Sequence, residues 1–377
     1  MTNKTLEKWE EKPFEKCIEN VQYTNKIPKK DFKNTGLYPI ISQEDEYING
    51  YWDSEKDLFE IKKPVVIFGD HTKKVKYIDF DFVLGADGVK IISTIDNILP
   101  KYMYYYLQNI QLRDLGYARH YKLLKEKFVQ YPNKHEQQRI VGILDEAFEN
   151  IEKAKQNALQ NLNNAKELFE SYLTSILVNK DNWDKKKLSE VAIDFGRGRS
   201  RHRPRNDKKL YGGQYPFIQT GEIRNSNHFI TEYSQTYNEI GLAQSKLWPK
   251  GTLCITIAAN IAETGVLTFD ACFPDSVIGC VFDETKTNID YVEYLLQSFK
   301  AILQAEGKGS AQDNINLGTF EKHSFPFPDK TKQDEIVNKL DSMRNNIAKL
   351  EQIYEQKIKA LDELKQSILQ KAFNGEL

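Results

Sequence analysis

The chain has 377 residues, with 53 Lys and Arg against 54 Asp and Glu and a formal net charge of −1 at pH 7. This length predicts two to three domains, and the near-neutral charge argues against a protein that wraps nucleic acid unaided. Because no run of about 18 apolar residues occurs and the N-terminal residues form no apolar segment, we expect neither a membrane span nor a secretory signal, and we expect a cytoplasmic chain.

Each half of the chain contains short runs of β-branched and aromatic residues bounded by turn residues. In the first half these runs are PVVIFGD, KYIDFDFVLGADG and KIIST, and in the second half they are GTLCITIAA and IGCVFDE. Such runs predict strands, and YMYYYLQ, Tyr102–Gln108, predicts one of a few small helices among them. We therefore expect each half to hold a twisted sheet of mixed or mostly antiparallel strands.

Each half ends in a long helix with a heptad pattern. The first starts near EQQRIVGILDEAF, where Asn133 and Glu136 have the spacing of a capping box, and Thr331 and Asp334 have the same spacing before the second. The apolar stripes are defined by Ile140, Leu144, Ile151, Leu162 and Phe169 in the first helix and by Ile336, Leu340, Ile347, Leu350 and Leu361 in the second. Because stripes of about five heptads are unstable in water, we expect the helices to pack as an antiparallel coiled coil.

The two halves are repeats of one another. EQQRIVGILD is echoed by KQDEIVNKLD, so that Gln137 and Asp145 recur as Gln333 and Asp341, 196 positions further on. Upstream, YMYYYLQ parallels YVEYLLQ and YPIIS parallels YPFIQ in the same order, at offsets that shrink to 189 and 177. Such an ordered series predicts two α+β globular units related by a pseudo-two-fold axis and separated by the helices.

The cysteines and histidines do not have the spacing of a metal or disulfide site. Cys17, Cys254, Cys272 and Cys280 are irregularly placed, and no H-E-x-x-H pairing exists among the six histidines. We therefore expect reduced, buried cysteines and no metal.

At this point the chain resembles a known family over essentially its whole length, the DNA specificity subunits of type I restriction-modification systems. The most specific elements are the proline-bearing approach and helix start in YPNKHEQQRIVGILD and, more weakly, in FPFPDKTKQDEIVNKLD. The segments GKGSAQDNINL and LQKAFNGEL and the opening GRGRSRHRPRNDKKLYGGQYPFIQTGEI of the second unit are also similar to that family.

The resemblance implies a non-catalytic subunit of a bacterial defence complex. Residues 1–133 would form the first target-recognition domain, 134–180 the first spacer helix, 181–328 the second domain and 329–377 the second helix. Each domain would read one half of a bipartite, asymmetric target in double-stranded DNA. The helices would dock two modification subunits, which are adenine methyltransferases that use S-adenosylmethionine, and restriction subunits would join this core; the chain itself would hold no cofactor.

Other functions leave weaker signals. Pro274-Asp275 followed by Glu284-Thr285-Lys286 has the order of a PD...E-x-K nuclease, but the first half has no matching Glu-x-Lys. A methyltransferase would need a Gly-rich cofactor loop and an N/D-P-P-aromatic motif, and neither occurs. A stand-alone two-site DNA-binding protein and a coiled-coil scaffold remain the alternatives.

The residues expected to contact DNA lie in loops with cations and amides, because Arg or Lys reads guanine and Asn or Gln reads adenine. In the second unit the strongest candidate is the loop RGRSRHRPRN, followed by a turn and by the loop GKGSAQDN. The candidates there are Arg197, Arg199, Arg201, His202, Arg203, Arg205, Asn206, Gln219, Thr220, Lys308, Ser310, Gln312 and Asn314. In the first unit they are Ser42, Gln43, His71, Thr72, Lys73, Lys74, Arg119, His120, Tyr121 and Lys122.

Overall fold

The computed structural model describes residues 9–85, 88–116, 118–177, 182–226, 228–258, 261–308 and 315–377, with the backbone alone at 306–308. The chain folds into two compact units. Unit 1 comprises Met1–Leu159 with Glu355–Leu377, and unit 2 comprises Gln160–Tyr354. Each unit therefore contains one end of each long helix. A helix end belongs to the unit against which it packs, whatever its place in the chain.

Unit 1 contains a four-stranded antiparallel sheet in the order β2-β10-β7-β8 and a mixed sheet in which β3, β4 and β6 join β9 and β5 joins β4. A third pair joins β1 to β11. The strands are β1 Glu10–Pro13, β2 Ile18–Glu19, β3 Lys26–Ile27, β4 Tyr38–Ile41, β5 Gly50–Trp52, β6 Leu58–Phe59, β7 Val65–Gly69, β8 Val75–Ile78, β9 Phe82–Gly85, β10 Val89–Thr94 and β11 Phe128–Tyr131. The helices are α1 Pro100–Asn109, α2 Tyr121–Lys125 and the start of α3 Lys134–Leu177, with short 3-10 turns at Phe14–Lys16, Lys29–Asp31 and Glu55–Asp57.

Unit 2 repeats this plan with a five-stranded sheet, β13-β21-β18-β19-β15, a four-stranded sheet, β16-β14-β20-β17, and the pair β12-β22. Its strands are β12 Asp184–Lys186, β13 Ala192–Arg197, β14 Tyr211–Phe217, β15 Phe229–Ile230, β16 Gln235–Tyr237, β17 Leu247–Trp248, β18 Leu253–Thr256, β19 Thr264–Leu267, β20 Ala271–Cys272, β21 Val277–Phe282 and β22 Phe325–Phe327. Its helices are α4 Leu188–Val191, α5 Thr220–Asn225, α6 Glu239–Ala243, α7 Ile289–Lys308, α8 Leu317–Lys322 and the start of α9 Lys330–Phe373, with a 3-10 turn at Lys208–Leu210. The α+β class, the mixed sheets and the predicted helix α1 are confirmed.

The repeat extends to individual hydrogen bonds between each small helix and its long helix. In unit 1, the Gln137 side chain accepts from the Leu99 N–H (2.8 Å) and donates to the Pro132 carbonyl (2.8 Å). In unit 2, the Gln333 side chain accepts from the Asn288 N–H (2.9 Å) and donates to the Pro328 carbonyl (2.8 Å). Since both glutamines are buried, the same polar contacts hold each long helix against its own globular part.

Two tyrosines of each small helix complete this duplicated frame. The Tyr102 hydroxyl donates to the Gln130 carbonyl (2.9 Å), as the Tyr291 hydroxyl does to the Pro326 carbonyl (2.7 Å). One helical turn further on, Tyr105 donates to Asp145, and Tyr294 donates to Asp341 (2.6 Å). We call these glutamine and tyrosine contacts the helix frame; it gives the repeated sequence anchors a physical reason.

The long helices run antiparallel within each unit. In unit 1, Ile140 and Leu144 near the start of α3 share a core with Leu369 and Phe373 at the end of α9. In unit 2, the end of α3 shares a core with the start of α9, through Leu173 and Leu177 of α3 and Ile336 and Leu340 of α9. The predicted antiparallel pairing is thus confirmed.

The helix caps agree with the sequence prediction only at the first helix. The Asn133 side chain accepts from the Glu136 N–H at 2.9 Å. For α9 the prediction of a Thr331 and Asp334 cap is wrong, because Asp329 accepts from the Lys332 N–H at 2.8 Å. Asp334 instead accepts from the side chain of Asn288 at 2.7 Å.

The predicted apolar stripe is buried near the start of each long helix and partly exposed further along it. The predicted positions Ile151 and Ile347 are buried, but Leu350 is 40 % exposed. Leu162, Phe169 and Leu361 are half-buried. Two further buried positions of α3 carry small side chains, Ala158 and Ala165. Leu350 is therefore a correction to the predicted stripe.

The four cysteines are free and buried, as predicted. In the parts of the chain that the structure describes, no helix combines the length and the apolar character that crossing a bilayer requires.

Candidate nucleic-acid interface

The arginine-rich segment of unit 2 leaves strand β13 and is held against the loop before β21. The Gly198 N–H donates to the Val277 carbonyl (2.8 Å), and the Arg199 N–H donates to the Phe273 carbonyl (3.1 Å). A Cβ added to Gly198 would lie 2.3 Å from the Phe273 carbonyl oxygen. Glycine is therefore required at this position by the close approach of two backbones.

The five arginines of this segment, Arg197–Asn206, have two kinds of surroundings. Arg197 donates to the Asp275 carbonyl (2.7 Å), and Arg205 donates to both carboxylate oxygens of Asp275 (2.7 and 2.9 Å). Arg203 folds back on the carbonyls of the loop itself, including that of Ser200 (2.6 Å). Within the described residues, only Arg199 and Arg201 among the five expose guanidinium groups with no hydrogen-bond or ion-pair partner.

The backbone that carries these two arginines is fixed from the other side. The Ser245 hydroxyl donates to the Arg199 carbonyl (2.9 Å), and the Gln244 side chain accepts from the His202 N–H (3.0 Å). The His202 ring lies 2.9 Å from Asp207, and this contact, with the Lys209 N–H, holds the pKa of Asp207 below its usual value. The loop thus offers two exposed cations on a restrained backbone.

A groove of 630 Å³ brings the arginine loop next to the predicted turn residues. It is lined by Arg205 and Asn206 from the loop, by Gln219 and Thr220, and by Lys208. Lys208 is not among the residues that the sequence predicts to contact DNA. Gln219 and Thr220 also line an adjoining cavity of 530 Å³, together with Glu222 and Glu232. The groove and the adjoining cavity together present guanidinium, amide and carboxylate groups, which are the kinds of group that read base edges.

Behind the wall of that cavity lies a buried charge cluster centred on His228. Its ring contacts Glu293, which is fully buried, and lies 3.1 Å from Asp290. His228 has a φ of 85°, and its carbonyl accepts from the Val266 N–H (2.9 Å). The cluster therefore fastens the segment that continues into Phe229 and Ile230, two residues of the cavity wall, to helix α7.

This cluster predicts a pH-dependent stability for unit 2. Burial lowers the pKa of His228, but hydrogen bonds to Asp290 and Glu293 outweigh burial and raise it from 6.5 to about 9. Because the raised pKa favours the folded, protonated form, the contribution is fully present below pH 6.5 and is lost as the pH rises through 9. It amounts to on the order of 3 kcal/mol.

We expect the urea midpoint of unit 2 to fall between pH 6.5 and 9.5 in the parent chain. In His228→Asn, which keeps a residue that tolerates positive φ, this decrease should be absent. An equal decrease in both proteins would contradict the assignment to His228.

In unit 1 the predicted residues of three loops converge on Asp70, which is buried. Its carboxylate accepts from the Tyr121 N–H (2.7 Å), and its carbonyl accepts from the His120 N–H (2.7 Å). Gln43 accepts from the His71 N–H (3.1 Å) through its side chain and from the Thr72 hydroxyl (2.7 Å) through its carbonyl. The loops after β4, β7 and α1 thus form one surface.

The structure divides the predicted residues of unit 1 into buried supports and exposed groups. His120 and Ser42 are buried, and Ser42 accepts from the Glu44 N–H (3.2 Å), so these two side chains shape the loops. Tyr121 is half-buried, and Lys90 lies over its ring at 5.5 Å. Lys73 and Lys74 lie beside Asp114 and Asp45 at 3.3 and 2.5 Å. The exposed members of this set are Thr72, Lys74, Arg119 and Lys122.

Part of the prediction for unit 2 cannot be placed. Ser310, Gln312 and Asn314 lie outside the described residues, and Lys308 is the last residue of α7, with an undescribed side chain.

The first carboxylate of the nuclease-like pattern is engaged by an arginine, and the second lies in a turn. Asp275 binds Arg205, and the segment Glu284–Lys286 lies in a turn where Asp283 accepts from the Thr285 N–H (3.0 Å). In the part of the chain that the structure describes, no group of three or more His, Cys, Asp or Glu side chains is arranged to hold a metal ion.

The sequence interpretation missed the two acidic residues around which the loops are built, Asp70 and Asp275. Each carboxylate accepts from a distant loop, at Tyr121 and at Arg205 respectively. The sequence does contain a signal for Asp275. It is a lone acid between two apolar runs, in a unit that also carries an arginine-rich loop.

Comparisons with known proteins agree with this duplicated design. The sequence model of the type I restriction modification DNA specificity domain matches residues 7–161 and 180–360. The specificity subunit of the type I restriction enzyme EcoR124I/EcoR124II of Escherichia coli is 22 % identical over 351 residues, which cover 85 % of this chain and 83 % of that protein.

Solved structures share the fold along almost the whole chain. A chain solved in work on assembly and conformational transition of the type I R-M system has a TM-score of 0.73 at 16 % identity and covers 98 % of both chains. The HsdS subunit from Thermoanaerobacter tengcongensis has a TM-score of 0.59 at 17 % identity, covering 98 % of this chain and 97 % of that one.

The two repeated α+β units correspond to the two matches of the DNA specificity domain, which places the chain in the class of two-domain DNA specificity proteins. The chain belongs to the type I restriction-modification DNA specificity family, and its function is the recognition of DNA sequence.

Proposed function

We propose that each unit reads one half of a bipartite, asymmetric DNA target. The observation that carries this proposal is the helix frame, because the same contacts attach two different loop surfaces to the long helices. The loop after the repeated YP strand borders the candidate surface in both units, at Gln43 and at Gln219. Identical supports that carry different loops suit two different half-sites.

The chain acts, in this proposal, without catalysing a reaction or holding a cofactor. Two modification subunits, adenine methyltransferases with S-adenosylmethionine, dock on the long helices in the cytoplasm, and restriction subunits join them. The formal charge of −1 supports a role for partners, because neutralising DNA phosphates requires a surplus of cations. Alone, the chain should bind DNA weakly.

A map of methylated bases tests the proposal. DNA is sequenced from cells that express the modification subunit alone, with this chain, or with the variant Arg199→Ala/Arg201→Ala. This variant lacks the two unpaired arginines of the arginine loop. We expect a bipartite motif with methyladenine in each half only when the chain is present, and a degenerate second half in the variant.

A continuous motif, or a motif that does not depend on the chain, would contradict bipartite reading. Gel shifts with and without the modification subunit separate the alternatives, since a stand-alone DNA-binding protein needs no partner and a scaffold does not shift DNA.

A further inference from the structure

The charge of the arginine loop is partly neutralised within unit 2 by one residue of another loop. Asp275 receives two hydrogen bonds from Arg205 on its carboxylate and one from Arg197 on its carbonyl. The Asp275 side chain is 36 % exposed and that of Arg205 is 50 % exposed, so both groups reach the protein surface. Arg199 and Arg201 remain exposed and unpaired within the described residues.

We propose that Asp275 is a specificity-determining residue, whose carboxylate withholds Arg205 from DNA phosphates and leaves Arg199 and Arg201 to contact base edges. This inference rests on the proposed function, and it assigns different tasks to arginines that the sequence presents as equivalent.

The physical basis is the difference between phosphate and base contacts. Phosphate contacts add affinity for every sequence, whereas base-edge contacts distinguish sequences. Five mobile arginines would bind any duplex. Pairing Arg205 with the Asp275 carboxylate removes one cation from that general attraction, and the two hydrogen bonds, both from one Nη atom, tie the arginine loop to the segment before β21. Selectivity at the second half-site should therefore depend on an acidic residue that contacts no base.

The test uses the full chain assembled with its modification subunits. Binding is measured to three duplexes: the target read from the methylation map, the target with a scrambled first half-site, and the target with a scrambled second half-site. The variant is Asp275→Asn. The matched control is Asp283→Asn, which removes the same charge just beyond the other end of β21, where Asp283 only closes a turn with Thr285 and Lys286.

For Asp275→Asn we expect binding to the duplex with the scrambled second half-site to tighten about tenfold, because the freed Arg205 guanidinium reaches a phosphate. The slope of log K against log salt should steepen by about one. Discrimination at the first half-site should stay at the parent value, as should all three affinities of Asp283→Asn.

Two further variants distinguish the effect of restraining the arginine loop from the effect of its positive charge. Arg205→Gln removes the pair and one cation, so it should lose discrimination at the second half-site without tighter binding to scrambled DNA. Arg201→Ala should weaken target binding by about 5- to 100-fold if it contacts a base edge.

The inference is overturned if Asp275→Asn weakens all three duplexes equally or behaves like Asp283→Asn. If the parent complex discriminates neither half-site, the proposed function itself fails, and the two failures are therefore distinguishable.

Discussion

Gly198→Ala is expected to disrupt recognition of the second half-site while leaving the first intact. A Cβ at this position would lie 2.3 Å from the Phe273 carbonyl oxygen and 2.4 Å from that of Pro274. Because these neighbours are backbone atoms, relief requires the arginine loop to move away from the 273–277 segment. Such overpacking costs about 1 to 3 kcal/mol, and the moved loop no longer presents Arg199 and Arg201 in place. Binding of the assembled complex to duplexes with either half-site scrambled measures the effect.

Gly196→Ala is the matched control, since Gly196 lies two residues earlier, in β13, and a Cβ there meets nothing within 4 Å. Its discrimination at both half-sites should equal that of the parent chain. Equal behaviour of the two alanine variants would show that the close approach at Gly198 does not position the loop.

Replacing the frame glutamines is expected to have the largest effect on stability. Gln333→Leu leaves the Asn288 N–H and the Pro328 carbonyl without the partner that now contacts both. Each buried polar group left unsatisfied costs about 1 to 3 kcal/mol, so the two groups together should cost unit 2 about 2 to 6 kcal/mol of unfolding free energy. Gln137→Leu should destabilise unit 1 similarly, because it removes the same pair of contacts at Leu99 and Pro132.

Urea unfolding, followed by hydrogen exchange of the Leu99 and Asn288 amides, assigns each loss to its unit. Gln160→Leu serves as the control, since Gln160 is exposed on α3 and its amide donates only to Asn164. If Gln333→Leu unfolds at the same urea concentration as Gln160→Leu, the frame does not stabilise the unit.

The prediction from sequence succeeded where the signal is local. Strands β7, β10, β18 and β21 and helix α1 appear where short apolar runs predict them, because burial on a pleated or helical surface selects residues at a fixed period. The predicted cap of α9 is at the wrong residue. Thr331 and Asp334 have the spacing of a capping box, but the backbone does not form one there. Asp329, the repeat partner of Asn133, is the residue that accepts the hydrogen bond.

Site residues were harder to predict than elements. Ser42 and His120 have the composition of surface binding groups, yet they are buried. Burial of a polar side chain depends on partners that come from distant parts of the chain, and His120 lies next to Asp70, 50 positions away. A residue type in a loop therefore indicates what contacts are available, and only the packing of several loops decides which contacts form.

The duplication, the order of the elements and the long helices follow from the sequence alone, since repeated anchors and heptads are periodic signals that each segment carries within itself. The roles of the five arginines depend on the tertiary structure. Arg197 and Arg205 reach Asp275 across 78 and 70 positions, while Arg199 and Arg201 face solvent from the same loop. The arginines alternate along the loop, but this spacing does not show which side chains point toward the protein and which point toward solvent. The fold places the Asp275 carboxylate, and its position decides which arginines remain exposed.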